Sequence, residues 1–370
     1  MRELRVTGAS RMLLLLLAAG CFDDDGKDLA NPGVDAGTIL DAPVTSDAAP
    51  TTPDAATAVD TAVSVGEAGL VTTTRLFPES SPWYRDVTAL PADVESTAMI
   101  AALTASGGFG EFVVDFGFEV NTALPTDAVV PLTPGPDFST PDCDQMAVPL
   151  PMGGALRDEM AYQCTKNGEC HLLVVQPGKH LLYELWKANA QAGTLTAGCL
   201  AVWDLSRTYG PSGRGTDCAG ADTSGMPIAA LLFTADEVAA GEIPHALRLS
   251  LPTDRIRPGI YLSPATHTSR SPTGGPTALP LGARLRLRAD YPTDGLSRGA
   301  KVVVKALQRY GMLLAEGGPR PLTARSDRTT TARWAGLLGD RDLVGLKPSD
   351  FTVVEGGARI KYSGDCVRNP

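Results

Sequence analysis

Residues 283–289 read ARLRLRA, and the strict alternation in this stretch indicates the fold class. Successive side chains of a β-strand point to opposite faces, so the two leucines share one face and the three arginines share the other. The arginine face must contact water or be paired with opposite charge, because burying an unpaired guanidinium is costly. The stretch therefore predicts a strand with one buried face.

Short apolar runs of similar length recur along the chain. The 39 Gly and 29 Pro residues favour many short strands joined by turns over a bundle of long helices. Besides the opening stretch, we expect strands over residues 111–118, 171–176, 180–186, 195–205, 245–251 and 351–355, and helices over residues 96–106 and 301–314. Thr234 and Glu237 have the spacing of a capping box, which predicts a further short helix ending at Gly241. We predict a mainly β fold, a single antiparallel β-sandwich of jelly-roll type with one or two edge helices.

The first 21 residues have the order of an export signal: a basic segment, a short apolar segment, and small residues before a cysteine. Residues 17–21 read LAAGC and resemble the lipobox of bacterial lipoproteins, in which the cysteine is acylated and becomes the mature N-terminus. The resemblance implies a lipid anchor at Cys21. Because Asp23 is separated from the cysteine by Phe22, it also implies the outer membrane as the destination. The alternative is an ordinary secretory signal with Cys21 near the cut.

Residues 21–70 have the composition of a disordered tether. Residues 22–69 carry ten acidic side chains and one lysine, and no aromatic residue occurs between positions 23 and 76. We therefore predict three parts: a lipoprotein signal peptide over residues 1–20, a linker over 21–70, and a β-sandwich domain over 71–370. The longest apolar run, residues 12–19, is far shorter than the ~20 residues needed to cross a bilayer. The near-neutral remainder argues against nucleic acid as a partner.

Cysteine usage independently favours an exported protein. The six cysteines after the lipobox are an even number, and in an oxidising compartment three disulfides are expected. The six cysteines are Cys143, Cys164, Cys170, Cys199, Cys218 and Cys366. Spacing leaves the pairing open, although a bond between Cys164 and Cys170 would close a small loop. A zinc site using these two cysteines and His171 is the alternative, but it lacks a C-x2-C pair. We expect no metal and no cofactor.

No strong catalytic motif occurs: the sequence has no nucleophile elbow, no H-E-x-x-H and no phosphate-binding loop. Two carboxylates do lie within apolar strands, Glu184 in LLYELW and Asp204 in AVWDL. Alternation allows both to line one concave face, beside Trp186 and Trp203. A sugar ring stacked on either tryptophan would then meet the paired acids of glycoside hydrolysis. The alternative is that the two acids only neutralise the arginines of residues 283–289.

Further candidate ligand contacts are scattered along the chain. His245 begins a strand, and with His267 and Asp222 it could form a site for proton transfer or a bound cation. The alternative for His245 is a hydrogen-bonded core histidine. Arg286 is a candidate contact because it lies on the charged face of the opening stretch.

Five strings of the sequence carry a resemblance to a known family: GECHLLVV (168–175), LLYELW (181–186), DEVAAGEIPHALRL (236–249), GARLRLRAD (282–290) and ALQRYGMLLAEGG (306–318). They resemble a widespread family of exported, largely uncharacterised bacterial proteins, over roughly residues 77–355. Asp222 and His267 match an acid and a histidine of that family. Glu316-Gly317-Gly318 stands where the family has Asp-Asn-Gly, and Gln176 where an acid is common. The resemblance implies one domain and no established reaction.

Two functions follow from these expectations. The first is a lipid-anchored envelope protein whose β-sandwich binds or hydrolyses polysaccharide, with Glu184 and Asp204 as acid and base. The second is a non-catalytic structural or adhesion module of the cell surface, in which the same charged groups only satisfy one another.

Overall fold

The computed structural model describes residues 75–166 and 168–369, and most of their regular structure is extended. The predicted mainly β class is confirmed. The predicted signal peptide, the linker over residues 21–70 and the acylation site Cys21 lie outside the described residues.

Three α-helices and five short 3-10 helices occur in the described residues. The α-helices are α1 (Ser96–Ala105), α2 (Ala235–Ala240) and α3 (Arg298–Arg309), and the 3-10 helices are Pro82–Tyr84, Pro177–Lys179, Ala229–Leu231, Thr253–Arg255 and Pro348–Asp350. The predicted capping box begins α2, since Thr234 accepts a hydrogen bond from the backbone of Glu237 and the Glu237 carboxylate accepts one from the backbone of Thr234. Gly241 ends this helix with a φ of 93°, a left-handed conformation that glycine adopts without strain.

The predicted helix over residues 301–314 is wrong in its last part. Helix α3 ends at Arg309, Gly311 turns the chain with a φ of 69°, and a strand follows over Met312–Gly317. This strand is central in its sheet and buried on both faces along most of its length. An apolar run without alternation therefore resembled the end of a helix.

Twenty strands follow one another along the described residues. In chain order they are β1 (Val114–Phe118), β2 (Val120–Thr122), β3 (Ala128–Val130), β4 (Leu132–Pro134), β5 (Val148–Leu150), β6 (Leu172–Gln176), β7 (Leu181–Trp186), β8 (Asn189–Gln191), β9 (Thr194–Ala197), β10 (Cys199–Asp204), β11 (Gly215–Thr216), β12 (Leu247–Leu251), β13 (Ile256–Tyr261), β14 (Leu279–Leu281), β15 (Arg284–Leu287), β16 (Met312–Gly317), β17 (Leu322–Arg325), β18 (Phe351–Val354), β19 (Ile360–Lys361) and β20 (Val367–Arg368). Each predicted strand overlaps at least one of these, and the predicted strand over residues 195–205 is two strands, β9 and β10.

The largest sheet has six strands in the order β1-β17-β12-β16-β15-β18. Its pairs β1 with β17 and β12 with β16 are parallel, and the other three pairs are antiparallel. Helix α3 packs against β15, and α1 packs against β18 at the edge. The prediction of an antiparallel arrangement is therefore wrong for two of the five pairs.

The second sheet has four strands in the order β10-β7-β6-β2, of which only β2 with β6 is parallel. Both of its faces are buried. Leu173, Leu182 and Trp203 belong to the same core cluster as the six-stranded sheet, whereas Leu172 and Tyr183 pack in a second cluster with the small sheets β3-β5 and β4-β9-β8. The three-stranded sheet β14-β13-β19 packs in the first cluster, and β11-β20 is a two-stranded sheet.

The alternation of residues 283–289 is realised in β15, with Leu285 and Leu287 in the core. Its arginines pair mostly with backbone. Arg284 donates to the carbonyls of Pro82 and Arg85, and Arg286 donates to the carbonyls of residues 87, 88 and 90. Arg288 pairs with Asp290 and Asp350. The alternative in which Glu184 and Asp204 neutralise these arginines is wrong, because the segment before α1 supplies the acceptors of Arg284 and Arg286 and two other aspartates supply those of Arg288.

The six cysteines form three disulfides, as predicted: Cys143–Cys199, Cys164–Cys170 and Cys218–Cys366. The small loop expected from spacing is the second of these. Three disulfides indicate an oxidising, exported environment. Over residues 75–166 and 168–369 no helix has the length and apolar character needed to cross a membrane.

Candidate functional site

The two carboxylates predicted to share a concave face lie on opposite faces of the four-stranded sheet. In the register of β7 with β10, Glu184 pairs with Ala201 and Asp204 pairs with Leu181. Directly paired residues share a face, and faces alternate at every residue, so the offset of three positions separates the two acids. The prediction that they act together as acid and base is therefore wrong.

Glu184 is buried between the four-stranded sheet and the segment that leads to α2. It is 0% exposed, and its carboxylate accepts hydrogen bonds from Trp203 Nε1 at 3.1 Å and from the backbone N–H groups of Ile228 at 3.1 Å and Ala229 at 2.8 Å. Burial raises the pKa of Glu184 to about 8, although the hydrogen bonds from Ala229 and Ile228 act to lower it. The side chain therefore joins a sheet to a loop in the core.

We expect the free energy of unfolding to fall as the pH rises, because of Glu184. Below a pH of about 4 the carboxyl is protonated in both states, so it contributes no pH dependence there. Above that pH the unfolded chain ionises, whereas the folded protein keeps the proton up to a pKa of about 8. Stability is therefore lost between these two values, at about 1.4 kcal/mol per pH unit. Urea unfolding across this pH range measures the loss.

The matched control is Glu184→Gln, which keeps the shape of the side chain and does not ionise. The free energy of unfolding of the variant should not contain the pH dependence that Glu184 contributes. The stability of wild type should therefore fall relative to that of the variant as the pH rises. Parallel pH profiles for the two proteins would contradict this expectation.

Asp204 is exposed at the end of β10. Its Oδ1 accepts hydrogen bonds from the backbone N–H of Ser206 at 2.9 Å and from its hydroxyl at 2.6 Å, and these bonds lower the pKa of Asp204. Such a contact closes a local turn. Asp204 is thus a turn residue and not the partner of a buried acid.

The two candidate tryptophans differ in their surroundings. Trp203 is 1% exposed and packs edge-on against Phe77 and Tyr209 in the core, so its predicted role as a ligand contact is wrong. Trp186 is partly exposed at the end of β7, and its Nε1 donates to Glu169 at 2.8 Å. Its ring lies so close to Gly198 that a Cβ there would be 2.9 Å from the ring carbon Cε3.

Trp186 lines a cavity of about 870 Å³, which we call the Trp186 cavity. It lies where both larger sheets contribute side chains: the ends of β7 and β10 supply one wall, and β12, β16 and β17 supply another. Its charged and aromatic lining residues are Asp115, Asp137, Arg157, Asp158, Lys166, Glu169, His171, Trp186, Asp222, Arg248, His267, Glu316 and Arg320. The walls also carry hydroxyl groups, from Thr223, Ser250, Ser269, Ser271 and Thr323.

A buried ion pair forms part of this wall. Arg248 donates from Nε and Nη2 to the two carboxylate oxygens of Asp222, both at 2.7 Å, and from Nη1 to the hydroxyls of Ser250 at 3.0 Å and Thr323 at 3.3 Å. The guanidinium also lies 5.2 Å from the ring centroid of Phe118. The paired geometry and the added hydrogen bonds are what a buried ion pair requires to offset its desolvation.

Glu316 lies beside this ion pair. Its Oε1 accepts from the Thr223 hydroxyl at 2.6 Å and from the backbone of Gly317 at 2.7 Å, and its Oε2 accepts from the backbone of Thr223 at 2.6 Å. Burial raises the pKa of Glu316, and the nearby charge of Asp222 adds to the effect. The carboxylate therefore fixes the Thr223 segment of the cavity wall.

Two histidines, His267 and His171, line the Trp186 cavity. His267 bridges the carbonyl of Thr223 at 2.7 Å and the hydroxyl of Tyr362 at 3.0 Å, and burial lowers its pKa. Burial lowers the pKa of His171 to about 4. His171 Nε2 lies 3.1 Å from the carbonyl of Ala221, so this nitrogen carries the proton, and Nδ1 has no partner among the described residues.

The remaining predicted contacts lie elsewhere. His245 lies 3.4 Å from Glu237; burial lowers the pKa of this histidine, but the carboxylate outweighs burial and raises it overall. His245 is not a lining residue of the Trp186 cavity, so the grouping of His245 with His267 and Asp222 is wrong. Arg286 contacts backbone carbonyls near α1, as described above, and is not a lining residue either.

The zinc alternative is also wrong. Cys164 and Cys170 are joined in a disulfide, so they offer no thiolate to a metal, even though Glu159 lies close to both sulfurs. The third proposed ligand, His171, bonds to the carbonyl of Ala221.

Most charged residues of the Trp186 cavity are not among the predicted site residues, and Arg248 and Glu316 show why. Arg248 alternates with Leu247 and Leu249 in β12, which is the pattern of a strand with one polar face, and this pattern was readable. Glu316 follows the predicted helix over residues 301–314 and was assigned to no element, so its position in strand β16 was hidden.

The Trp186 cavity is the candidate functional site. Of the predicted contacts it brings together Trp186, Asp222 and His267, and it leaves out Glu184, Asp204, Trp203, His245 and Arg286. No protein-family model, no curated protein and no solved structure matches the chain.

Proposed function

We propose that the protein is an exported component of the cell envelope that binds polysaccharide in the Trp186 cavity without cleaving it. The observation that carries this proposal is a partly exposed indole ring, with Lys187 Nζ 4.4 Å from the ring centroid, on the wall of a cavity most of whose other lining residues have charged, imidazole or hydroxyl side chains. A sugar has apolar C–H faces, which pack on aromatic rings, and hydroxyl groups, which need hydrogen-bond partners. The cavity offers both kinds of surface.

The size of the cavity supports a small-molecule or oligosaccharide ligand. Its volume of about 870 Å³ lies within the range of ~300–1,000 Å³ that is usual for ligand sites. Ser269 and Ser271, whose hydroxyls lie 2.7 Å apart, and the exposed Arg320 add hydrogen-bonding groups to the wall. Many of the polar groups are fixed by neighbours before any ligand binds, which lowers the entropy cost of binding.

Binding is favoured over cleavage by the state of the carboxylates. Glycoside hydrolysis needs two carboxyl groups with access to one bond. Asp222 is engaged by Arg248 at both oxygens, and Glu316 accepts three hydrogen bonds from Thr223 and Gly317. The other four carboxylates of the lining are engaged as well: Asp115 and Asp158 pair with Arg157, Asp137 pairs with Lys187, and Glu169 accepts from Trp186 Nε1. All six lining carboxylates thus have partners within the protein.

The same proposal includes the place of the protein in the cell. We propose that acylation of Cys21 anchors it to the outer membrane, with residues 21–70 as a tether. The order of residues 1–21 and the oxidising environment indicated by the disulfides support this assignment. Labelling with a radioactive fatty acid should mark wild type and not Cys21→Ser, and label that persists in the variant would refute the anchor.

A finer description of the fold belongs to the same proposal. The six-stranded and four-stranded sheets contribute to one core cluster, as the two faces of a β-sandwich do. We therefore propose that these two sheets are the layers of one sandwich, with the Trp186 cavity at one end of it.

We expect Trp186→Ala to weaken glycan binding at least tenfold, a loss of about 1.4 kcal/mol. The loss follows from removing the ring on which the sugar stacks. A glycan array with the purified protein identifies the ligand, and titration calorimetry with the best glycan measures the dissociation constants of wild type and variant.

Tyr291→Ala is the matched control. Tyr291 is also a partly exposed aromatic residue, but it packs near Arg288 and is not a lining residue of the Trp186 cavity. The Tyr291→Ala variant should bind glycan with the same affinity as wild type. Equal affinity of wild type and Trp186→Ala would place glycan binding elsewhere and refute the site.

The second candidate function is a structural or adhesion module without a carbohydrate ligand. The observation that favours it is the pairing of charges within the cavity wall: Arg248 with Asp222, and Arg157 with Asp115 at 2.5 Å. Such pairing satisfies the charges without a ligand. If wild type binds no glycan on the array, the result favours the structural or adhesion module over polysaccharide binding.

A further inference from the structure

A second cavity, of about 910 Å³, shares no lining residue with the Trp186 cavity. We call it the Arg325 cavity, after the residue at the end of β17 that contributes to its wall. Most of its wall is apolar and includes the side chains of Phe77, Val120, Val175 and Leu205. A cavity of this size and character suits a ligand with an extended apolar part.

Arg325 is the cationic group of this cavity that forms no ion pair at contact distance, although the charges of Glu119, Asp236 and Glu237 act on it from farther away. Its Nη2 donates to the carbonyl of Val120 at 2.7 Å and to the hydroxyl of Thr329 at 2.9 Å. Its Nε is buried without a hydrogen-bond partner. No carboxylate of the described residues lies within ion-pair distance of this guanidinium, although burying an unpaired charge is costly.

The other charged groups of the Arg325 cavity are engaged within the protein. Arg75 pairs with Glu79 at 2.5 Å, and Glu237 accepts from Thr234 and pairs with His245. The two remaining acids also have partners. Asp236 accepts from the backbone of residues 331 and 332, and Glu119 lies 3.9 Å from Arg328.

We propose that the Arg325 cavity binds an amphiphile with an anionic head, its apolar chain against the apolar wall and its carboxylate or phosphate on Arg325. A guanidinium presents planar pairs of N–H groups that match the oxygens of both anions. The inference is independent of polysaccharide binding, because it concerns other residues and another cavity.

The test uses three probes with the same chain: dodecanoate, dodecyl phosphate and dodecyltrimethylammonium. Each is titrated calorimetrically, below its micelle concentration, into the full chain. Wild type should bind at least one of the two anions and should not bind the cation. The relative affinities of the two anions distinguish a fatty acid from a phosphorylated lipid. Equal binding of all three probes, or binding of none, would overturn the proposal.

Arg325→Met tests the head-group contact, since methionine keeps much of the volume and loses the charge. Its affinity for the preferred anion should fall at least tenfold. Arg341→Met is the matched control, because Arg341 is exposed, pairs with Glu111 and lines neither cavity. Unchanged affinity in Arg325→Met would assign the anion to another site and refute the proposal.

Two further variants keep the test decisive. Leu205→Trp reduces the volume of the cavity without touching Arg325, and it should abolish anion binding even where Arg325→Met fails to fold. A chain that lacks residues 22–70 should bind the anion as the full chain does. Anion binding that appears only after this deletion would identify the tether of the chain itself as the occupant, against the proposal.

Discussion

Replacing Arg248 with Met should lower the free energy of unfolding by about 3–5 kcal/mol, the range found when one partner of a buried ion pair is removed. Asp222 is 1% exposed, and Arg248 supplies both of its charged hydrogen bonds. Without the guanidinium, the carboxylate stays in the core with no counter-charge. Urea unfolding followed by circular dichroism, with the disulfides intact, measures the loss.

Two further variants separate charge from packing. Arg341→Met breaks an exposed ion pair with Glu111, and water already screens that pair, so its loss should be much smaller. The double variant Asp222→Leu with Arg248→Met should regain most of the stability lost in Arg248→Met, because no unpaired charge remains. A double variant as unstable as the single one would contradict the charge argument and favour lost packing.

Removing the disulfide Cys218–Cys366 should cost about 5 kcal/mol, whereas removing Cys164–Cys170 should cost only about 2 kcal/mol. The difference follows from loop length, since the first bond joins residues 148 positions apart and the second joins residues 6 positions apart. A longer closed loop removes more conformational entropy from the unfolded chain. The first bond also fixes the end of the chain beside β11, where β20 pairs with it.

Both double serine variants are needed for this comparison. Cys218→Ser with Cys366→Ser and Cys164→Ser with Cys170→Ser are unfolded in urea beside wild type. Equal losses in the two variants would contradict the loop argument.

Local pattern predicted the fold well where a strand had one polar face or a clear boundary. Residues 283–289 alternated strictly and form β15, and the capping box at Thr234 begins α2. The pattern failed at Met312–Gly317, where a central strand is buried on both faces and has no alternation. The parallel pairs of the six-stranded sheet were also beyond the sequence, because strand order depends on contacts between distant segments.

The candidate site was harder to predict than the strands that surround it. The apolar neighbours of Glu184 in LLYELW correctly indicate burial, but the groups that satisfy its carboxylate are backbone N–H groups and an indole, not a ligand. Its relation to Asp204 depends on the register of β7 with β10, and a shift of one residue would have reversed it. Register could not be read from either strand alone.

The Trp186 cavity draws its residues from six or more separate segments, so spacing gave little information about it. Arg248 and Glu316 come together because β12 and β16 pair in parallel, and Asp222 joins them through its ion pair with Arg248. The apolar–polar alternation around Arg248 was the one local sign of a polar wall. Such alternation indicates that one face of the strand is polar, but it does not identify the residues or the ligand that contact this face.

Hydrogen exchange measured by mass spectrometry, with and without the glycan selected on the array, tests polysaccharide binding in the Trp186 cavity most directly. Exchange should slow in the wall segments 198–199, 219–223 and 267–271 when glycan is bound. Exchange should not change in residues 229–237, which border the Arg325 cavity. Slower exchange confined to residues 229–237, or no change anywhere at saturating glycan, would contradict glycan binding in the Trp186 cavity.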